Sequence, residues 1–375
     1  MNMTNFQQIV NNYIDRFESI NGPKHQEYYK WQIAQDFRPM MDKALAASDA
    51  ELPSKLYLVK KRSRNIIDNY TQPFHGLCKF AEKEPQTVRQ MFQELFAQEG
   101  ATKQEKVMRF LKKSAALRQA YYPGSFLYAD DMHSITGYMF LYAPDENYLY
   151  KASHARIFAD CIEFYDDWSY GENTRLDIYN RMCDEVIDAI NGNEALLATA
   201  ASRYEIDPTG MHPDRNKHIL LFDIIYCCST YKLFNGIHFV VPKNSERRLM
   251  QERKETAQRL SKALNEARAK LEPLEEGKRL LAETLHVGMT VRHRTFGDGT
   301  ILSIEDTTMS VGFQTAGTKY LGIATSLLNG IITTDDITFG ERIKPYRECL
   351  LQEKQLRDAI SFAEKQFAPY VDYLE

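Results

Sequence analysis

The densest positive charge in the chain lies in KLYLVKKRSRNIIDNY, which sets Lys60, Lys61, Arg62 and Arg64 between Tyr57 and Tyr70. Lysines and arginines at that density neutralise phosphates, and neighbouring tyrosines offer flat faces on which bases stack, so this run points to nucleic-acid binding. A solvated basic segment is the plainer alternative for the same residues. The other constellations carry less chemistry. His212, Asp214 and His218 flank the polar loop DPTGMHPDRNKH with donor types that suit a divalent metal, but chance enrichment of a polar loop explains them better. Glu276-Gly277-Lys278 matches the acid-x-lysine element of a nuclease class, yet it falls on an expected helix instead of a strand end. His154 and Cys161 lie seven apart on one helix face, too far for a base to activate a nucleophile. Cys227 and Cys228, as neighbours, point to different faces of a helix, which argues against one metal site. The phosphate-cradling pattern GxxxxGK followed by Ser or Thr is absent, so P-loop nucleotide hydrolysis is not expected. The expectation is a non-enzymatic binding protein with no catalytic residue, no metal site and no cofactor.

The basic run belongs to a wider charge asymmetry. From Lys55 to Arg118 there are 14 Lys and Arg against 6 Asp and Glu, and from Gln119 to Arg215 there are 6 against 17. Either the two halves pack together and complement each other, or the basic segment 55–118 presents a face to phosphates, DNA or RNA being the partner class. At 375 residues the chain has room for two or three domains of roughly 150 residues each. No apolar run reaches the roughly 20 residues of a membrane span, and the longest, HILLFDIIYCC, is interrupted by Asp223. MNMTNFQQIVNNYIDRF has neither the basic start nor the apolar run of a signal peptide, and six scattered cysteines suit a reducing compartment. No membrane is expected among the partners, and the expected address is the cytoplasm.

The elements that must position these residues are mostly helical. In QEYYKWQIAQDFRPMMDKALAAS, Tyr29, Ile33, Phe37, Met41 and Leu45 line one helix face, with Pro39 expected to kink or split it. EPQTVRQMFQELFAQEG reads as a helix starting at Glu84-Pro85 and closing on Gly100 as its C′ residue, and Lys103 to Tyr121 as a basic amphipathic helix. TRLDIYNRMCDEVIDAI and HILLFDIIYCCSTYKL complete a helical domain expected over residues 1–243. A first stalk helix is expected over 244–285, with Leu264, Ala267, Leu271, Leu274, Leu281 and Leu285 on heptad-like spacings and Pro273 as a kink or restart. A second is expected over 341–375, with Cys349, Leu356, Ile360, Ala363, Phe367, Tyr370 and Leu374 on one seam and Glu353 as its exception. Neither seam is buried by one helix alone, so the two are expected to pair antiparallel.

Between them, VRHRTFGDGTILSIEDTTMSVGF changes period from helix to strand. MTVRH, GTILSIE, MSVGF, KYLGI and GIITT read as five short strands of an SH3-like or Tudor-like barrel over 286–335, inserted between the stalk helices. Its cations Arg292, Arg294 and Lys319 are opposed by Asp298, Glu305, Asp306, Asp335 and Asp336, so a protein partner is expected here before a duplex.

Two resemblances carry these expectations further. YYKWQIAQDF, CKFAEKEPQTVRQMFQELF, NYLYKASHARIFAD and ILLFDIIYC, over about residues 26–236, resemble the N-terminal region ahead of the motor in McrB-type AAA+ restriction proteins. That resemblance implies target recognition on nucleic acid and an accessory role in restriction or phage defence in bacteria. HVGMTVRHRTFGDGTILSIEDTTMSVGFQTAGTKYL is similar to the C-terminal Tudor-like domain of UvrD/PcrA-type helicases, the match resting on His293, Phe296, Gly297 and Gly299. This likeness implies a protein-docking module, RNA polymerase or a helicase being the kind of partner. The four matched residues are expected to be structural. The alternative function is a protein–protein adaptor of transcription or repair machinery that does not itself bind nucleic acid.

Overall fold

A computed structural model describes residues 1–67, 69–271, 285–305, 307–335 and 339–374. The chain is mainly helical, with one small antiparallel sheet, and divides into two compact units, Met1–Arg248 and Leu249–Glu375.

The first unit is built from helices whose buried stripes follow the apolar spacing of the sequence. Helix Lys103–Tyr121 starts on a capping box, the Thr102 hydroxyl accepting from the Glu105 N–H while the Glu105 carboxylate accepts from the Thr102 N–H. It buries Val107, Phe110, Leu111, Ser114 and Leu117. Leu176–Asn191 buries Leu176, Tyr179, Met182, Cys183, Val186 and Ile190, the expected core face. Of the two outcomes expected at Pro39, a kink or a split, the split does not occur: Tyr29–Ala46 runs through it as one helix. Pro39 is exposed on its outer side, while Trp31, Phe37 and Met41 hold the inner side in the core. Helix Pro85–Phe96 ends before Gly100, which sits in the following loop at φ +97° and is not its C′ residue.

Helix Asn244–Ala269 begins within the first unit, where the buried Arg247 guanidinium donates to Asp160 and lies over the Tyr165 ring. Leu264 is buried, and Ala267 and Leu271 are half-buried, as the seam requires. Leu274, Leu281, Pro273 and Glu276-Gly277-Lys278 lie outside the described residues. Within the second unit, Arg268 donates to Glu364 at 2.7 Å and Arg253 to the Tyr373 hydroxyl at 2.6 Å. The partner number falls as the donor number rises, so Asn244–Ala269 and Phe339–Phe367 run antiparallel. The second helix gives way at Ala368 to a 3-10 turn ending at Tyr373, so helix does not extend over the whole of 341–375. Glu353 is not an exception to the seam: it is buried with Ile360, and its carboxylate accepts from Arg357 one turn on at 2.6 Å. The Cys349 side chain lies outside the description.

The sheet comprises β1 (Thr290–His293), β2 (Gly297–Glu305), β3 (Thr308–Phe313), β4 (Gly317–Gly322) and β5 (Ile332–Thr333), in the order β4-β3-β2-β1-β5 with every pairing antiparallel. KYLGI and GIITT were expected as complete strands, but Ile323–Leu328 is helical and β5 keeps two residues. Among the described residues the ladder stops at β4 and at β5, so the sheet is open where a closed barrel was expected. Val291, Ile301, Met309, Val311 and Phe313 fill its inner face with Ile323, Leu327 and Ile332.

The matched residues of this module are placed by packing. The His293 ring stacks on Phe296 at 4.4 Å, and its Nδ1 accepts from the N–H groups of Thr295 and Phe296 at 3.0 and 3.2 Å. Gly297 has φ +73°, and a Cβ on Gly299 would lie 2.5 Å from the Phe313 ring. Gly299→Ala is therefore expected to destabilise the second unit by about 1–3 kcal/mol through overpacking. Because both tryptophans, Trp31 and Trp168, lie in the first unit, calorimetry is the suitable measurement; an unshifted transition would show that Phe313 yields without cost.

Candidate functional site

The basic run forms most of helix Leu52–Ile67. Its inner side buries Leu52, Leu56, Val59, Ser63, Ile66 and Ile67, which turns Tyr57, Lys61 and Arg64 outward at spacings of four and three, one exposed stripe. Lys60 is half-buried on the same helix. Arg62 does not join the stripe: its Nε donates to Asp36 at 2.7 Å. The four sequence-predicted cations thus divide, with Lys61 and Arg64 in the open and Arg62 committed to the fold.

Much of the remaining basic segment is likewise bound internally. Arg89 pairs with Asp49, Lys79 with Glu82 and Lys113 with Glu94, each at 2.8 Å. Arg118 donates to the Ser125 carbonyl at 2.7 Å, and Lys103 and Lys106 donate to the carbonyls of Glu146 and Ala97. The paired carboxylates, Asp36, Asp49, Glu82 and Glu94, all lie outside 119–215, so these pairs do not join the basic block to the acidic one. Lys61 and Arg64 stay exposed, as do Lys55, Lys83, Arg109 and Lys112.

Aromatic rings extend that stripe. Tyr57 meets His75 edge-to-face at 6.1 Å, His75 meets Tyr128 at 5.7 Å, and Tyr128 meets Tyr122 at 5.0 Å. Tyr57 and His75, with Leu58, Lys55 and Lys79, also line an open groove of about 890 Å³ between helices Leu52–Ile67 and Pro73–Ala81. Tyr70 is 81% exposed in the loop between these helices, and Phe126 is 67% exposed in the loop that leads to Tyr128. The two loops are joined where the Tyr128 N–H donates to the Thr71 carbonyl at 2.6 Å and the Thr71 hydroxyl to the Ala129 carbonyl at 3.0 Å. Asp130 anchors the second loop, its carboxyl accepting from Ser114, Ser134 and Tyr138. Burial raises the Asp130 pKa to about 6, against those three hydrogen bonds, which lower it.

Sequence reasoning missed a second constellation. Lys30 from YYKW, Lys151 and His154 from NYLYKASHARIFAD, and Asp223 and Tyr226 from ILLFDIIYC meet in space. Lys30 and Asp223 are fully buried and paired, with Glu27 on Lys30 at 2.9 Å. Tyr13 donates to Asp223 at 2.5 Å, and Arg203 donates to Tyr13 at 2.7 Å while lying 3.6 Å over the Trp31 ring. The Tyr226 ring has the Lys30 ammonium 4.2 Å away, that of Lys151 5.0 Å away and the His154 ring at 4.9 Å. Burial alone would lower the Lys30 pKa, but Asp223, with Cys227 and Glu27, outweighs it and holds the ammonium well above its usual range. Burial, with Lys151 and Lys30, pushes His154 down to about 4. The only sequence signal was Asp223 itself, a carboxylate in an apolar run, which implies a buried cation somewhere in the fold.

The polar loop does not assemble a ligand set. Both Asp214 oxygens accept from the N–H groups of Ile219 and Leu220 at 2.9 Å, capping helix His218–Thr230, while His218 Nδ1 is 3.0 Å from the Asn147 carbonyl. His154 Nδ1 faces the Ser229 hydroxyl and not Cys161. No group of three or more His, Cys, Asp and Glu able to hold a metal ion occurs among the described residues.

Two predictions follow the buried charges. Lys30→Met leaves two buried carboxylates, Asp223 and Glu27, against Arg203 as the remaining cation and is expected to cost about 3–5 kcal/mol, measured by urea denaturation on the fluorescence of Trp31 and Trp168; a loss below about 1 kcal/mol would mean the pair is dispensable. For Asp130 the folded pKa of about 6 exceeds its ordinary 3.8, so its contribution to stability is present at low pH and lost as pH rises through 6. His133 and His154, both lowered by burial to about 4, act in the opposite sense over the same window. Asp130→Asn removes the low-pH contribution, so stability should fall more steeply than in the wild type on acidification from pH 6.5 to 4. Parallel stability profiles would contradict the assignment. Comparison with protein-family models, with curated proteins and with solved structures finds no match to this chain.

Proposed function

We propose that this chain is a non-enzymatic recognition protein that engages nucleic acid through helix Leu52–Ile67 and docks a protein partner through its small sheet. The observation that carries this reading is the exposed stripe of Tyr57, Lys61 and Arg64 on helix Leu52–Ile67. Cations that serve only the fold are paired; cations held outward beside an aromatic ring are placed for phosphates and bases. The convergence of three McrB-like segments on Lys30, Lys151 and Tyr226 supports a role of that family's N-terminal kind, as an accessory in restriction or phage defence. For the sheet, the reading rests on its Tudor-like sequence, on strand order and on Tyr320 and Leu302, which are 80% and 50% exposed. On this reading the open sheet is a Tudor-like module and the setting is the bacterial cytoplasm.

A second reading, a protein–protein adaptor of transcription or repair machinery that leaves nucleic acid to its partners, draws on one observation. Arg62, Arg89 and Lys113 are matched to carboxylates, as a basic segment with a purely internal role would be.

A gel-shift titration across salt separates the two. Binding at low ionic strength that weakens as salt rises is expected. Lys61→Ala with Arg64→Ala should weaken it for every sequence and flatten its salt slope by roughly 0.7 for each phosphate of a single strand that is no longer neutralised. Absence of binding at low ionic strength would leave the adaptor reading.

A further inference from the structure

Resting on that reading, we infer that the ligand of this surface is a single-stranded polynucleotide, and that Phe126, together with Tyr70, supplies its stacking platform. Cations alone do not discriminate strand state, because a duplex and a single strand both present phosphates. Aromatic rings do: in a duplex the base faces are covered by their neighbours, whereas in a single strand they are open to a protein ring. Here exposed rings accompany the cations, which besides Lys61 and Arg64 include exposed Lys55. The two exposed cations of the stripe, Lys61 and Arg64, are accompanied by exposed Tyr57, Tyr70 and Phe126, and the last two project from loops with most of their ring area in water.

These rings are also held in relation to one another. The edge-to-face series from Tyr57 through His75 to Tyr128 leads from the basic stripe to the loop of Phe126, and the hydrogen bond from Tyr128 to Thr71 fixes that loop against the one carrying Tyr70. A Cβ on Gly76 would lie 2.4 Å from the Tyr128 Cβ, so helix Pro73–Ala81 packs directly against the base of the side chain that joins the series. Asp130 fastens the far end of the loop to helices Lys103–Tyr121 and Met132–Tyr142. Phe126 and Tyr70 therefore stand in water on supported loops, an arrangement that leaves apolar area uncovered unless something stacks on it. Along the helix, Tyr57 to Arg64 spans about 10 Å, which matches about three nucleotides at the ~3.4 Å spacing of a stacked strand.

The test is fluorescence anisotropy on the full chain with three labelled probes at low salt: a thymidine 12-mer, a uridine 12-mer, and a mixed-sequence 12-base-pair duplex. Either single strand is expected to bind at least tenfold tighter than the duplex, with the two single-stranded arms distinguishing DNA from RNA. Tyr70→Ala and Phe126→Ala should each weaken single-strand binding about fivefold to a hundredfold, while Phe126→Tyr retains it and unfolding midpoints stay unchanged. Equal affinity for the duplex, or alanine variants that bind like the wild type while the Lys61→Ala/Arg64→Ala variant weakens, would overturn the single-strand inference and leave the nucleic-acid reading standing. No binding of any probe would overturn both.

Discussion

The first unit depends on a carboxylate with no access to water. Asp223 sits in the middle of helix His218–Thr230, among isoleucines, leucines and cysteines, and an ion there is tolerated only with opposite charge and hydrogen bonds around it. Lys30, Arg203 and Tyr13 meet that demand from helix Tyr29–Ala46, the turn Ser202–Glu205 and helix Met3–Asp15. Hydrophobic burial would bring these elements together in many registers; the ionic cluster accepts one. Lys30 and Arg203 balance Asp223 and Glu27, so the cluster is neutral as a whole. This permits its burial and selects the arrangement in which Trp31 is covered by Arg203 and Tyr226 lies near Lys30 and Lys151.

That arrangement bears on the surface through helix Tyr29–Ala46. Asp36, on the same helix as Lys30, draws Arg62 inward. Burial of Leu52, Leu56, Val59, Ile66 and Ile67 sets the basic helix with Lys61 and Arg64 outside, and the half-exposed Arg62–Asp36 pair is consistent with that setting. Ring packing links Tyr57 through His75 to Tyr128, in the loop that carries Phe126.

Much of this was legible in the sequence, and the exceptions have physical causes. Apolar spacing locates helices well because a stripe must be buried, which is why Lys103–Tyr121 and Leu176–Asn191 agree with expectation. Whether Pro39 splits its helix or is carried within it depends on which side of the helix it occupies, a property settled by tertiary packing. Strand period marks β1 to β3, but sheet closure depends on which edges meet, and β5 is too short to announce itself. For the site, composition exposes the cations of the run from Lys60 to Arg64 but not that Arg62 is engaged, since Asp36 is 26 residues away. Phe126 could not be separated from its aromatic neighbours, because exposure rather than identity distinguishes it. Asp223 was visible as an anomaly, whereas its partners at Lys30 and Arg203 lie in segments of ordinary composition.

The account turns on whether a polynucleotide lies along the surface from Tyr57 to Phe126. Photo-crosslinking reads this position by position: a 12-mer with a photoreactive thymidine at each place in turn is bound to the full chain, irradiated and digested, and the adducts are mapped by mass spectrometry. Adducts on Tyr57, Tyr70 or Phe126 are predicted, and they should disappear under excess unlabelled single strand. Adducts confined to residues 286–335, or none above a non-photoreactive control, would contradict the account.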